Sequence, residues 1–230
     1  MREVQTWMTP EVHTELPGPR SRELFDRLDR VISGILREPE VPFVESSKAG
    51  WLISDVDGNT YADHHSSWGS APLGADHPAV LEAVLEAQRR YGMECTDYVR
   101  SDVAIALAER LVEIAPPGIT RVCHQITGTE AVEGGVKLAR AATGRPMILT
   151  FYGQYHGEST YLTAAGSTDL SDVPAGHAQY VAGLAFAPYP NTFRAPFHRG
   201  PGPYDDTMYL DYLEEHVLVH QVDRSRSRAS

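Results

Sequence analysis

Between Val122 and Phe151 the chain passes from a short β-forming run through a small-residue turn into an amphipathic helix, and then into a second β-forming run. Val122–Ile126 reads as the first strand and Thr127-Gly128-Thr129 as the turn. The helix spans about Glu130 to Thr143, Gly144-Arg145-Pro146 stops it, and Met147–Phe151 is the second strand. A strand, a helix and a strand in so short a span make a βαβ unit, whose crossover is right-handed and whose strands are parallel. That one feature predicts an α/β fold.

The flanking sequence fits helices and a hairpin around such a unit. Leu24, Leu28, Val31, Ile32 and Ile35 form an apolar stripe at helical spacing within 20–36. Asp57-Gly58 lies between two strand-like runs, a hairpin signal because glycine accepts positive φ. Residues 64–77 read as a loop. Pro78 opens a helix where its missing N–H costs nothing, with Val80, Leu81, Val84 and Leu85 as the face to be buried. Ser101 is a candidate N-cap for a helix that turns Ala104, Leu107, Leu111 and Ile114 inward, and Pro116-Pro117-Gly118 ends it. Residues 166–206 show no clear periodicity; helical spacing returns over 207–221 with Leu210, Leu213 and Val217. The last residues, from Asp223, are Arg-Ser-rich. The sequence therefore divides into 1–69, a helix and hairpin segment; 70–221, the α/β part; and 222–230, a basic low-complexity tail.

Charge and cysteine content narrow the function. The formal net charge is −11, so nucleic acid and anionic membrane would meet net repulsion. Cys95 and Cys123 have no metal or disulfide spacing, and no apolar run is long enough for a membrane span. These features predict a cytoplasmic protein. His216 and His220 are i,i+4 on a helix but lack the flanking pattern of a zinc site, and no metal site is expected. Asp55/Asp57 and Asp205/Asp206 fit turns better than acid–base work.

The chemistry-bearing segment is Ile126-Thr-Gly-Thr-Glu-Ala-Val-Glu133. A turn leading directly into a helix N-terminus points unpaired N–H groups and the positive end of the helix dipole at one spot, which suits an anion. The same residues also fit plain capping, Thr127 with Glu130 three residues on. Both readings stand on pattern alone. The P-loop and dinucleotide fingerprints are absent. Phe151-Tyr-Gly-Gln-Tyr155-His156-Gly157 follows the second strand, at the sheet end where ligands gather in open α/β folds. An aromatic ring there could cover a flat cofactor, or simply pack on its own turn.

TGTEAVEGGVKLARAATGR, the second strand and YHG together resemble the pattern of the class III pyridoxal-phosphate aminotransferases, as do Gly50–Asp63 and Leu73-Gly-Ala-Asp-His-Pro78. The resemblance implies the large domain of fold type I, a three-layer αβα arrangement on a mostly parallel sheet, here incomplete. It implies pyridoxal 5′-phosphate as cofactor, with Thr127, Gly128 and Thr129 at the phosphate, Tyr155 stacked on the ring and His156 close by. Ser67, Trp68 and Gly69 fall where the family lines its substrate pocket. Thr127 stands where the family has serine, and Ala75 where it has histidine. The implied activity moves an amino group from an amine or ω-amino acid to a 2-oxo acid, as in 4-aminobutyrate aminotransferases, in a homodimer or larger assembly. Glutamate-1-semialdehyde-type aminomutases and dialkylglycine-type decarboxylases share the same features.

This chemistry needs a lysine amine for the Schiff base, and the sequence holds two lysines, Lys48 and Lys137. Lys137 lies about 12–15 Å up the helix from the turn at 1.5 Å per residue, and Lys48 precedes the hairpin on an expected surface. No catalytic residue is assigned. The sequence thus reads as the N-terminal part of such an enzyme, a truncated or frame-shifted product, with a non-catalytic phosphate- or cofactor-binding remnant as the alternative.

Overall fold

The computed structural model describes residues 9–32, 41–92, 100–159, 161–162, 182–191, 193, 196–197 and 203–222. Ile35, Cys95, most of 166–206 and the Arg-Ser end lie outside them. Contacts group the chain into two compact units, Met1–Ile105 and Ala106–Ser230, the division falling within helix α3 (Asp102–Ile114).

In the first unit, β1 (Glu45–Ala49), β2 (Leu52–Asp55) and β3 (Thr60–Ala62) form an antiparallel sheet in that order. Leu52 pairs with both Ala49 and Ala62, and Ile53 with Lys48 and Tyr61. Between Glu45 and Ser47 the register shifts, and the Ser46 hydroxyl donates to the carbonyls of Ser54 and Asp55 at 3.0 and 2.9 Å. The expected hairpin is present, with Gly58 at φ 90°. Phe43 stacks on Tyr61 at 4.2 Å between centroids.

The β2–β3 turn also organises the residues before it. Asp55, 3% exposed, accepts from the N–H groups of Asp57 and Asn59, from Asn59 Nδ2 and from the Tyr61 hydroxyl. Buried Asn59 in turn accepts from the N–H groups of His13 and Thr14. Asp57 reaches α1 (Pro19–Leu28), whose N-cap, Gly18, has no side chain to cap with. Its carboxylate accepts from the N–H groups of Arg20 and Ser21 at 2.7 and 2.9 Å and from the Ser21 hydroxyl at 2.6 Å. A Cβ on Gly18 would sit 2.3 Å from Asp57 Cγ, so glycine is what lets the carboxylate approach. The two acid residues serve turns, as expected, and Asp57 also supplies a helix cap from 36–37 residues away. Asp57→Ala is expected to lower the melting temperature of this unit by roughly 5 °C, as loss of a helix cap does, measured by tryptophan fluorescence.

Helix α2 (Pro78–Tyr91) starts at Pro78, and Ser101 Oγ accepts from Ala104 N at 3.3 Å at the start of α3. The expected buried faces are a different matter. Val80, Leu81, Val84 and Leu85 on α2 are 47–58% exposed, and Leu107, Leu111 and Ile114 on α3 are 37–62% exposed. Helical spacing marks a face suited to burial and does not supply the partner; among the described residues nothing covers these faces. The stripe at 20–36 is shorter than its spacing predicts: α1 ends at Leu28, and Val31 and Ile32 are exposed.

The second unit holds α4 (Gly128–Thr143), β4 (Ile148–Phe151) and β5 (Leu184–Ala187), then α5 (Thr207–Tyr212), a π-helical stretch (Leu213–Val217) and α6 (Leu218–His220). β4 and β5 pair in parallel, Ile148 with Leu184 through Phe151 with Ala187. This is the parallel pairing an α/β fold requires. Ala185, Ala187 and Val217 are buried together, flanked by Met147, Leu149, Phe151, Tyr212 and Leu213. Two alanines on one face of β5 let the helical segment approach closely. Asp205 accepts from the Thr207 N–H and hydroxyl, again an acid at a turn.

Two expectations are corrected here. Val122–Ile126 forms no ladder, so the first strand of the expected βαβ unit is an unpaired stretch in the described structure. Its β-forming side chains favour extended backbone, but a strand exists only with a neighbour to exchange hydrogen bonds. The partner of β4 is β5 instead, from the stretch without periodicity. Lys48 is also misplaced by the sequence reading: it belongs to β1, with its side chain 24% exposed, 3.5 Å from Glu45 and 3.6 Å from Asp63. Among the described residues no helix is long and apolar enough to cross a membrane.

Candidate cofactor-phosphate cup

Thr127 is the N-cap of α4, with extended φ −126° and ψ 161°. Its Oγ1 accepts from Glu130 N at 3.1 Å, while Glu130 Oε2 accepts from Thr127 N at 3.2 Å and Ile126 N at 3.0 Å. The capping box is therefore complete. It leaves the next two donors out: among the described residues, the N–H groups of Gly128 and Thr129 have no protein acceptor. The position a Cβ would take on Gly128 has nothing within 4 Å. Capping and anion binding are thus compatible, because the cap uses the N–H groups before and after the pair left open. Glu130 adds a negative charge nearby, but its carboxylate is engaged by the N–H groups of Ile126 and Thr127.

The Tyr155 loop docks on this helix start. Thr129 Oγ1 accepts from Glu158 N at 3.3 Å, so its own hydroxyl proton stays available to a ligand. Gly157 is buried, with φ 134°, and a Cβ there would meet Thr129 Oγ1 at 2.8 Å, Leu162 Cδ1 at 2.9 Å and Thr129 Cα at 3.0 Å. His156 turns toward β4, its Nε2 3.1 Å from the Thr150 hydroxyl. Tyr155 is 72% exposed. Partial burial, then the neighbouring Glu158 carboxylate, push its phenol above the ordinary value, so it remains neutral. A cleft of about 610 Å³ opens beside it at the carboxyl ends of β4 and β5, lined in part by Tyr152, Gln154, Tyr189, Phe197 and Tyr212.

The structure thus brings Thr127, Gly128, Thr129, Tyr155 and His156 into one region of the second unit. Ser67, Trp68 and Gly69 belong to the first unit, where they form an unusual turn. Ser66, Ser67, Trp68 and Gly69 all have positive φ, from 49° to 76°, and Gly69 N donates to the His65 carbonyl at 3.0 Å. This is a single left-handed turn, which costs about 1–2 kcal/mol per non-glycine residue. Asp63 secures its start by accepting from the N–H groups of His65 and Ser66 at 2.9 and 2.8 Å. Trp68 N donates to His65 Nδ1 at 3.1 Å, and the indole, 82% exposed, meets the imidazole edge-on at 4.4 Å. Where the family has histidine, Ala75 donates its N–H to the Gly50 carbonyl at 3.4 Å, and Asp76 accepts from Gly50 N at 2.7 Å, so this loop is held without the imidazole.

Comparison with known proteins identifies the family. The sequence profile described as aminotransferase class-III matches residues 36–216. The chain belongs to the class III aminotransferase family. An alanine/serine racemase from Pyrococcus horikoshii is 34% identical over 218 residues, covering 93% of this chain and 45% of that protein. A glutamate-1-semialdehyde 2,1-aminomutase from Desulfovibrio desulfuricans is 37% identical over 185 residues, covering 74% of this chain and 42% of the other. Among solved structures, the taurine:2-oxoglutarate aminotransferase from Bifidobacterium kashiwanohense, in complex with pyridoxal phosphate and glutamate, superposes with a TM-score of 0.73 at 25% identity, over 92% of this chain and 46% of that one. The chain spans less than half the length of each of these relatives. Gly128, Thr129 and the Tyr155 loop therefore sit in a chain of the family for which sequence resemblance alone implied a phosphate cup.

Proposed function

We propose that this chain is the cofactor-gripping part of a pyridoxal 5′-phosphate enzyme that moves an amino group from an amine or ω-amino acid to a 2-oxo acid. The observation that carries the reading is the pair of open donors at Gly128 and Thr129, at the start of a 16-residue helix inside a class III aminotransferase sequence. Those N–H groups, the Thr129 hydroxyl and the Thr127 hydroxyl would hold the phosphate, each charge-assisted bond contributing about 1.5–3 kcal/mol. The positive end of α4 adds about 0.3–1 kcal/mol. Tyr155 would cover one face of the ring, with His156 anchored to Thr150 behind it. Bound there, the cofactor supplies the electron sink for breaking a bond at the amine-bearing carbon.

Neither lysine suits the amine this chemistry needs. Lys48 is engaged by Glu45 and Asp63 in the first unit. Lys137 is nine residues beyond Gly128 on α4, about 14 Å along the axis. The 230 residues then hold the cofactor without turning it over alone. The cysteine spacing, which suits neither a disulfide framework nor a zinc site, supports a cytoplasmic setting, and the family resemblance supports a homodimer or larger assembly with Ser67, Trp68 and Gly69 on the substrate side. A second reading, racemisation or internal amino-group migration, is favoured by the racemase and aminomutase relatives and uses the same cup.

Gly128→Asp tests the cup. The side chain enters open space and an acid suits a helix start, so the fold should hold. Its charge facing a phosphate dianion is expected to weaken pyridoxal 5′-phosphate binding by about 100-fold or more, read by spectral titration. Unchanged affinity would rule the cup out.

A further inference from the structure

One stripe of α4 grips the loop that carries Tyr155. Thr129 accepts from Glu158 N at 3.3 Å, Glu133 Oε1 accepts from the Ser159 hydroxyl at 2.5 Å, and Arg140 Nη2 donates to the Tyr161 hydroxyl at 2.7 Å with its guanidinium 4.8 Å from that ring's centroid. Steps of four and eleven residues return to nearly the same face of an α-helix, so the three contacts lie in one row. Ser159 is the central link. It donates to Glu133 and accepts from Leu162 N at 3.1 Å, and Leu162 is 1% exposed. A hydroxyl donating to a carboxylate on one side and accepting from a backbone N–H on the other ties the loop's buried end to α4, one turn beyond the cup. Neither Glu133 nor Ser159 is among the residues placed at the cofactor.

We propose that Glu133 and Ser159 are positioning residues that hold the Tyr155 loop against the cup and so set affinity for the cofactor's ring without changing the grip on its phosphate. The inference rests on the cup reading above and adds residues that act through Tyr155. Its physical basis is separation: the cup donors, the Gly128 and Thr129 N–H groups with the Thr127 and Thr129 hydroxyls, all belong to the start of α4, whereas the ring's cover belongs to a loop fastened by side chains. Loosening the fastening leaves the donors in place and lets the tyrosine stray, which removes stacking and adds the entropy of ordering the loop on binding.

The test measures binding of two probes, pyridoxal 5′-phosphate and inorganic phosphate, to the wild-type protein and to Ser159→Ala, Glu133→Ala and Glu133→Gln by titration calorimetry. Ser159→Ala and Glu133→Ala are expected to weaken pyridoxal 5′-phosphate about tenfold, the effect of one charge-assisted hydrogen bond, and to leave phosphate affinity within about twofold. Glu133→Gln is expected to recover most of the loss, because its carboxamide oxygen still accepts from Ser159. Equal weakening of both probes would show a general folding role and overturn the proposal, as would unchanged pyridoxal 5′-phosphate affinity in the alanine variants. A wild-type protein that binds phosphate but gains nothing from the ring would overturn it too, while leaving the cup intact; one that binds neither probe would remove the cup reading itself.

Discussion

Gly157→Ala is expected to destabilise the second unit by about 3–4 kcal/mol and to weaken pyridoxal 5′-phosphate binding by more than about 30-fold. Two effects combine. The added Cβ would lie 3.0 Å from Thr129 Cα, which belongs to the backbone of α4 and cannot swing aside, with Thr129 Oγ1 and Leu162 Cδ1 closer still. Overpacking of this kind costs about 1–3 kcal/mol. Gly157 also holds φ 134°, a conformation side chains resist at about 1–3 kcal/mol. The loop can relieve both only by lifting away from α4, which breaks the Glu158–Thr129 contact and moves Tyr155. Chemical denaturation followed by circular dichroism gives the stability change, and spectral titration gives the affinity. Wild-type values in both would mean the loop is not docked as described.

Asp55→Ala should have a comparable effect on the first unit, about 3–4 kcal/mol, because it removes the acceptor shared by four donors inside the β2–β3 turn. Asn59 and Tyr61 then lose their partner, and with them the tie to His13 and Thr14 weakens. All three tryptophans fall within residues 1–105, so tryptophan fluorescence reports this unit. A related dependence on acid follows. Burial raises the carboxyl of Asp55, but hydrogen bonds from the Asn59 side chain, Tyr61 and the Asn59 and Asp57 backbones more than offset it, and the net shift is below the ordinary 3.8. Asp57 is also lowered, its burial outweighed by bonds from Ser21 and Arg20 and by the charge of Arg22. Asp63 is lowered chiefly by the Ser66 N–H, with His65 N–H and Lys48 adding to it against burial. A carboxyl whose folded pKa lies below its unfolded value stabilises the fold above the unfolded value. That stability fades as pH falls from about 4 through the depressed folded values. The first unit should therefore lose stability below pH 4, and Asp55→Ala should flatten the decline. A pH-independent unfolding midpoint between pH 5 and pH 2 would contradict this.

Local signals were legible wherever one residue's chemistry decides the outcome. Pro78 starts α2 where its ring requires, Gly144 ends α4 in a left-handed conformation, Gly58 turns the hairpin, and Thr127 and Glu130 close a box whose parts are three residues apart. What escaped depends on residues far apart in sequence. β5 is four apolar residues between Gly183 and Pro188, a signal that was present but too short to separate from loop without knowing that β4 needs a partner. Asp57 as the cap of α1, Lys48 between two carboxylates and Ser159 on Glu133 all join segments that only the folded chain brings together. The family resemblance named Gly128 and Thr129 as candidates for a cup, but not why their N–H groups stay open: that emerges from seeing that the cap satisfies their neighbours.

The Thr129 side chain faces two ways, its oxygen taking a proton donor from the loop while its own proton remains to be given. Because the contact with Glu158 uses only a lone pair of the oxygen, the hydroxyl can turn its proton to an anion without releasing the loop. The loop can in turn loosen at Ser159 without taking that proton away. Seating an anion and covering a ring are thus two separable events that meet at a single oxygen atom.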